Sequence, residues 1–203
     1  RGSLDGGYLK RGASAAMRRG NMLMRGFSLL EVLIAMAISS VLLLGASRFQ
    51  PALQRGIFLQ MRQQTLEDDL WQSTYTVAKH LQRAGYCGDD SCQGEALTIA
   101  DEGQCVIARW DGNSNGLWEA SESADSIGFR LKSGVLETLR GAKACSGSGW
   151  DKMTDPAAAT VTNFQVSRQA FSGFPPELLI SLSATTTGGV SASAQYGVTG
   201  YNL

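Results

Sequence analysis

The fold of this chain is decided by the stretch Arg25-Gly26-Phe27-Ser28-Leu29-Leu30-Glu31-Val32-Leu33-Ile34-Ala35-Met36-Ala37. It opens an apolar run from Phe27 to about Ser47 that contains one acid, Glu31. About 20 apolar residues suffice for a helix to cross a bilayer. A carboxylate inside such a helix costs on the order of 2.5–3.5 kcal/mol at its centre and less near its end. The run therefore predicts a membrane helix in which Glu31 needs a partner.

Basic residues precede the apolar run. Residues 1–26 carry six basic side chains and one acid, a formal charge of +5, and the positive-inside rule predicts that this end stays cytoplasmic while the rest crosses the membrane. A secretory signal peptide would place a small-residue cleavage site after the apolar run. Here Arg48-Phe49-Gln50 continues the run in helix-compatible fashion, and a glycine, Gly26, precedes it instead. Residues 1–16 are interpreted as upstream translated sequence or a cloning remnant.

A basic leader ending in glycine, followed by Phe, a Glu at the fifth position and a long apolar helix, resembles the type III signal of type IV prepilins and pseudopilins. In that family a prepilin peptidase cuts after the glycine and methylates the new amino terminus. The resemblance implies cleavage between Gly26 and Phe27 and an N-methylated Phe27. It also implies that Glu31 neutralises the terminal amine of a neighbouring subunit, an ion pair that offsets much of the burial cost. The competing interpretation is a single-pass anchor with a stray interfacial Glu31.

The charge of the chain changes when the leader is removed. The remaining 177 residues carry 12 basic and 17 acidic side chains, a formal charge near −5. A nucleic-acid-binding surface would show a basic patch, and no such patch is present in the sequence beyond the apolar run. We therefore expect no nucleic-acid partner.

Four cysteines follow the apolar run: Cys87, Cys92, Cys105 and Cys145. An even number in an exported domain indicates two disulfides, with three connectivities open. Zinc is the competing use, but the four-residue spacing between Cys87 and Cys92, without a second cysteine pair nearby, is a poor zinc pattern. Proximity alone favours Cys87–Cys92 and Cys105–Cys145.

A helical pattern continues past the apolar run. One face is formed by residues spaced 7, 4, 7 and 4 apart, Leu59, Leu66, Leu70, Val77 and Leu81. The helix is predicted to extend from Phe27 to about Ala84, apolar all round in its first half and amphipathic in its second. The sequence is thus predicted to divide into three segments: a leader at 1–26, a membrane or filament-core half-helix at 27–51, and a half-helix with a globular head at 52–203.

Short strands separated by turns are predicted after Gly85. The candidates are Leu97–Ala100, Cys105–Trp110, Ser126–Leu131, Val135–Leu139, Asn163–Arg168, Leu178–Leu182 and Ala192–Val198. The predicted class is α+β, one long amino-terminal helix packed on an antiparallel sheet, which is the pilin fold.

The segment 111–122 fits a twelve-residue calcium-loop pattern. Its candidate oxygen ligands are Asp111, Asn113, Asn115, the carbonyl of Leu117, and Glu122. Two asparagines in place of aspartates lower the ligand charge and hence the expected affinity. The competing interpretation is an Asn-Gly turn between strands. Calcium is the one cofactor that the sequence offers.

The head motifs at 77–87 and 110–116 resemble those of PilW-type minor pilins and of the J-type minor pseudopilins of type II secretion. The resemblance implies a minor pilin that joins other minor pilins, primes type IV pilus assembly and sits at the pilus tip. Its partners would be other minor pilins, the major pilin and the processing prepilin peptidase. Its location would be the bacterial inner membrane, with a cytoplasmic amino terminus and a periplasmic head, and then the pilus tip at the cell surface.

Two alternatives remain. The first is a J-type minor pseudopilin that serves protein secretion, which genomic neighbours would distinguish from a pilin. The second is a membrane-tethered exported enzyme. No catalytic residue is predicted, because His80 is the only histidine and no nucleophile or metal constellation accompanies it.

Overall fold

The computed structural model describes residues 28–89, 91–119 and 124–203. In these ranges one long α-helix, α1 (Leu29–Leu81), is followed by eight strands. The described chain divides into two units, one that ends at Pro51 and one from Ala52 to Leu203. Helix α1 continues through Pro51, so each unit contains part of it. The expected helix over Phe27–Ala84 is thus found, with slightly shorter bounds, and Phe27 lies outside the described residues.

The first part of α1 is apolar and exposed. Every side chain from Ser28 to Pro51 is exposed, and Leu29 retains 80% of its accessible surface. By length and composition this helix is able to cross a membrane. A helix that is apolar all round is stable only when lipid or other protein covers it.

The second part of α1 buries one face against the head. Leu66, Leu70, Val77 and Leu81 are all buried, as their spacing predicts. Leu59 corrects the prediction, since it is 58% exposed. Phe58 and Met61, in the same turn of α1, are also mostly exposed, so the described head residues leave this turn largely uncovered.

A glycine turns the chain shortly after α1 ends at Leu81. Gly85 has φ = +87°, and its N–H donates to the carbonyl of Arg109 at 2.8 Å. A Cβ at this position would collide with the carbonyl of Asn202. Glycine is therefore required twice, by its left-handed backbone and by the close approach.

Two antiparallel sheets follow, where the sequence predicted one. The first has the order β1-β2-β3-β4-β5 and the second β6-β7-β8. Their strands are β1 (Leu97–Ala100), β2 (Cys105–Arg109), β3 (Ser126–Lys132), β4 (Val135–Arg140), β5 (Asp151–Lys152), β6 (Ala159–Phe171), β7 (Phe174–Thr186) and β8 (Ser191–Thr199). The turn between β5 and β6 separates the two sheets.

All seven predicted strands are present, but two are much longer than expected. Strands β6 and β7 each have 13 residues and form a hairpin whose tip carries exposed Phe171 and Phe174. The two-residue strand β5 was not predicted. The core lies between α1 and both sheets, and Phe129 and Phe164 are among its largest fully buried side chains. The α+β prediction is confirmed.

Candidate functional site

Glu31 lies in the first turn of α1, and its side chain is exposed. The N–H of Glu31 donates to the carbonyl of Ser28 at 2.9 Å, so the helix is already formed at this residue. Among the described residues the one ion pair joins Arg130 and Glu137, and Glu31 has no cationic partner there. Gly26 and Phe27, the expected cleavage site, lie outside the described residues.

The four cysteines form two disulfides. Cys87 pairs with Cys92, with a Cα–Cα distance of 6.0 Å, and Cys105 pairs with Cys145 at 6.1 Å. This is the pairing that proximity favoured. Because zinc binds the thiolate form and all four sulfurs are bonded, no cysteine ligand remains for the competing zinc interpretation.

Asp111 is the central acceptor of the candidate calcium loop. It is 2% exposed, and its Oδ2 accepts the backbone N–H groups of Gly116 at 2.8 Å and Gly88 at 3.0 Å. Its Oδ1 accepts the N–H of Asn115 at 3.0 Å. The carboxylate thereby ties the loop that follows β2 to the loop that holds the Cys87–Cys92 disulfide.

These hydrogen bonds decide the protonation of Asp111. Burial raises the pKa of this carboxyl, but backbone N–H groups of Gly116, Gly88, Asn115 and Ser114 outweigh that effect and hold the pKa below its ordinary value. Hydrogen bonds to the charged form favour that form. Asp111 is therefore an anionic acceptor in the folded protein.

Asn113 and Asn115, two further calcium candidates, both contact Glu119, a residue that the sequence did not single out. The side-chain amides of Asn113 and Asn115 donate to Glu119 Oε2 at 3.3 Å and 3.0 Å. The Oδ1 of Asn115 accepts the N–H of Leu117 at 3.0 Å. Glu122 lies outside the described residues. The described part of the loop closes on its own hydrogen bonds, and calcium binding stays a prediction.

A second buried acid supports the same loop. Asp125 is 1% exposed, and its two oxygens accept the N–H groups of Gly112 and Glu119, each at 3.0 Å. The carboxylates of both Asp125 and Glu119 were not predicted from the sequence as hydrogen-bond acceptors. Asp125 precedes β3 without a motif, and Glu119 is one of several acids in a polar stretch. Only the fold shows which acid faces the backbone.

Arg130 organises the end of the first sheet. Its Nε donates to Glu137 Oε2 at 2.8 Å, and its Nη1 donates to the carbonyl of Cys145 at 2.7 Å. The guanidinium lies 4.2 Å from the ring centroid of Trp150. Since Cys145 is disulfide-bonded to Cys105 on β2, these contacts fix the loop between β4 and β5. Trp150 is thus a packing residue in this loop.

His80 is also a packing residue. Its ring stacks on Trp110 with a centroid distance of 6.0 Å, and it lies 5.9 Å from the ring of Phe129. Burial, together with the charges of Arg83, Arg140 and Lys79, lowers the pKa of His80 below its ordinary value. The contacts described for the His80 ring are therefore with aromatic side chains.

The exposed apolar helix, its first-turn acid and the antiparallel head place the chain among the pilin-like proteins. A family model for the prokaryotic N-terminal methylation motif matches residues 21–47, and the model described as prepilin peptidase-dependent protein B matches residues 59–200. The chain is 57% identical over 183 residues to prepilin peptidase-dependent protein B of Escherichia coli (strain K12). The aligned region covers 88% of this chain and 97% of that protein.

The chain belongs to the prepilin peptidase-dependent protein B family. This confirms the resemblance to pilin-like proteins that the signal and the head motifs indicated. No solved structure matches the chain.

Proposed function

We propose that this protein is a minor pilin, which joins other minor pilins to prime type IV pilus assembly and then sits at the pilus tip. The observation that carries the proposal is the exposed Glu31 in the first turn of an apolar helix, within the methylation motif that spans residues 21–47. A carboxylate within the apolar segment is costly in lipid. An ion pair with the amine of another subunit would offset this free-energy cost.

Processing precedes assembly in this proposal. Prepilin peptidase removes residues 1–26 in the inner membrane, residues 27–51 form the membrane and later filament-core segment, and residues 52–203 form the periplasmic half-helix and head. The other partners are minor pilins and the major pilin. The part played by the protein is structural, with no catalytic step.

The cleavage site is tested by the mass of the mature protein. We expect protein from the native host to begin at Phe27 and to carry one additional methyl group on its amine. Gly26→Val should block processing, because a larger side chain occupies the position before the cut, while the control Gly20→Val should be processed normally. An unchanged mature mass in Gly26→Val would place the cut elsewhere.

The role of Glu31 is tested by assembly. In a host without a redundant initiator, Glu31→Ala and Glu31→Val should be processed but should reduce piliation more than tenfold. Removing one member of a buried charge pair costs about 3–5 kcal/mol, and about 1.4 kcal/mol already changes an equilibrium tenfold. Ser40→Ala, which removes the hydroxyl that donates to the carbonyl of Met36 at 2.7 Å, is the matched control on the same exposed segment.

Pili counted by electron microscopy and type II secretion measured in parallel give two readouts. Wild-type piliation by both Glu31 variants would refute the ion-pair role. Loss of secretion with normal piliation would assign the protein to a pseudopilus instead.

A further inference from the structure

Strand β8 is an open edge of the second sheet. It pairs with β7 from Ser191 to Thr199, and no other described strand pairs with it. In the antiparallel ladder the N–H of Thr186 donates to Val190 and the N–H of Gly200 donates to Pro176. Since bonded pairs alternate, the even-numbered residues of β8 point their backbone groups toward β7. The odd-numbered residues therefore point theirs outward: Ser191, Ser193, Gln195, Gly197 and Thr199.

The other long edge, that of β6, is covered by the first sheet. The N–H of Val161 on β6 donates to the carbonyl of Gly134 at 2.8 Å, and Gly103 lies against the carbonyl of Val166. The edge strand β5 has only two residues, both charged, and β1 has four. Short, charged or covered edges resist pairing with other chains.

Strand β8 lacks these protections. Its nine residues include no charged side chain and no proline, and its register with β7 is uninterrupted. An uncharged, regularly paired edge of this length is a template for another strand. Natural proteins retain such an edge when a partner covers it.

Exposed aromatic side chains lie beside this edge. Tyr196 on β8 is 37% exposed and Tyr75 on α1 is 55% exposed, and their rings meet edge to face at 6.0 Å. Trp71, one helical turn before Tyr75, is 46% exposed. Tyrosine and tryptophan dominate the binding energy of protein interfaces, so this flank of the edge offers side-chain contacts as well as backbone hydrogen bonds.

We propose that the free edge of β8 binds an extended, uncharged strand from the head of a different pilin-like subunit, which becomes the fourth strand of this sheet. The partner's side chains on the α1 side pack against Tyr75 and Tyr196. This inference deepens the proposed function, on which it rests, by naming the surface through which the head meets another subunit.

The direction of β8 argues against antiparallel pairing with a second copy. The turn before β8 lies near Arg62, through Gly188, and the turn after it lies near Gly85, through Asn202. Strand β8 therefore runs in the same direction as the second part of α1. Two copies paired antiparallel through β8 are related by a two-fold axis that reverses α1. Their residues 52 would then lie at opposite ends, whereas two copies inserted in one membrane enter it from the same side.

Amide hydrogen exchange distinguishes strand addition from other contacts. The full-length protein in detergent is purified with each co-expressed subunit of the host that carries a methylation motif. In the bound complex we expect slower exchange, by about tenfold or more, at the outward N–H groups of Ser193, Gln195 and Gly197. The inward N–H groups of Ala194 and Tyr196 are already bonded to β7 and should change little. Protection confined to another surface would overturn the proposal.

A proline substitution tests the same edge genetically. Gln195→Pro removes an outward N–H without removing a ladder bond, a position where edge strands tolerate proline. It should abolish the complex, whereas Gln195→Val, which keeps the N–H, should retain it. If the thermal unfolding of Gln195→Pro shows that it is misfolded, Tyr196→Ser replaces it as the test and should weaken the complex.

Cross-linking of β8 to a second copy, or complexes unaffected in both Gln195→Pro and Tyr196→Ser, would refute this docking surface. The Glu31 variants make the two proposals separable. Assembly that fails in Glu31→Ala but survives in Gln195→Pro removes the β8 proposal and leaves the minor-pilin function standing.

Discussion

Single side chains in the head are held in the protonation states that their surroundings favour. Asp111 is kept anionic by four backbone N–H groups, and His80 is disfavoured as a cation by burial and by three nearby positive charges. Both effects raise the stability of the folded protein as pH increases, but in different ranges. The contribution of Asp111 to stability changes at pH values below the ordinary pKa of aspartate. The contribution of His80 changes at pH values below 6.5, the ordinary pKa of histidine.

The pKa of His80 predicts a pH dependence of stability. Because its folded pKa lies below the ordinary 6.5, the unfolded state binds a proton more readily, and stability is lost as pH falls from about 6.5 through the folded value. We expect urea unfolding to show lower stability at about pH 5 than at about pH 8. His80→Gln should reduce this difference.

His80 is the one histidine in the chain, so no other histidine contributes to the difference in stability between the two pH values. Asp89 and Asp111 have lowered pKa values and titrate below this range. A pH difference that is equally large in His80→Gln would show that other groups cause it.

At the scale of elements, α1 shows how well periodicity predicts packing. The spacing of Leu66, Leu70, Val77 and Leu81 predicted a buried face, and all four are buried. Leu59 follows the same spacing but is exposed, because periodicity gives the face of a helix and not the length of the surface that covers it. The strands were likewise located by their apolar residues. The parts of β6 and β7 nearest their shared turn, residues 169–171 and 174–175, are exposed throughout, so no alternation of buried and exposed residues marks them.

The two environments along α1 predict different mutational costs. Leu70→Ala should lower the free energy of unfolding by about 2–5 kcal/mol, because it leaves a cavity in the core. Leu59→Ala should change it by no more than about 0.5 kcal/mol, because its side chain is already exposed. Denaturant titration of both variants measures the contrast, and equal losses would mean that Leu59 is covered in solution.

Several hydrogen bonds of the candidate site could not be predicted from the sequence, for a physical reason. The signal around Glu31 is local, so a short stretch contains all of it. The acceptors Glu119 and Asp125, and the contact of Arg130 with the carbonyl of Cys145, depend on which loops meet in three dimensions. The division into two sheets has the same cause, since strand order depends on long-range pairing that apolar patterns do not record.

At the scale of the whole molecule, the division after Pro51 separates an exposed apolar segment from a unit with its own core. Both disulfides and all eight described strands lie in the second unit. The second unit therefore contains the interactions that a folded domain needs.

A chain that begins at Ala52 should consequently fold by itself. We expect it to be soluble without detergent, to form both disulfides, and to unfold cooperatively at nearly the same temperature as the full-length protein. Circular dichroism and the mass under non-reducing conditions provide the measurements. An unfolded fragment would show that the head needs the apolar segment, contrary to its division as a compact unit.

The buried face of α1 has a mechanical consequence. Leu66 to Leu81 spans roughly 22 Å of helix at about 1.5 Å per residue, and β8 runs in the same direction as this part of α1. Tension applied along the helix axis from residue 52 thus loads these contacts in shear, all at once. Force directed across the axis would open them one after another. We therefore expect the head to resist separation from α1 better under a force along the helix axis than under a force across it.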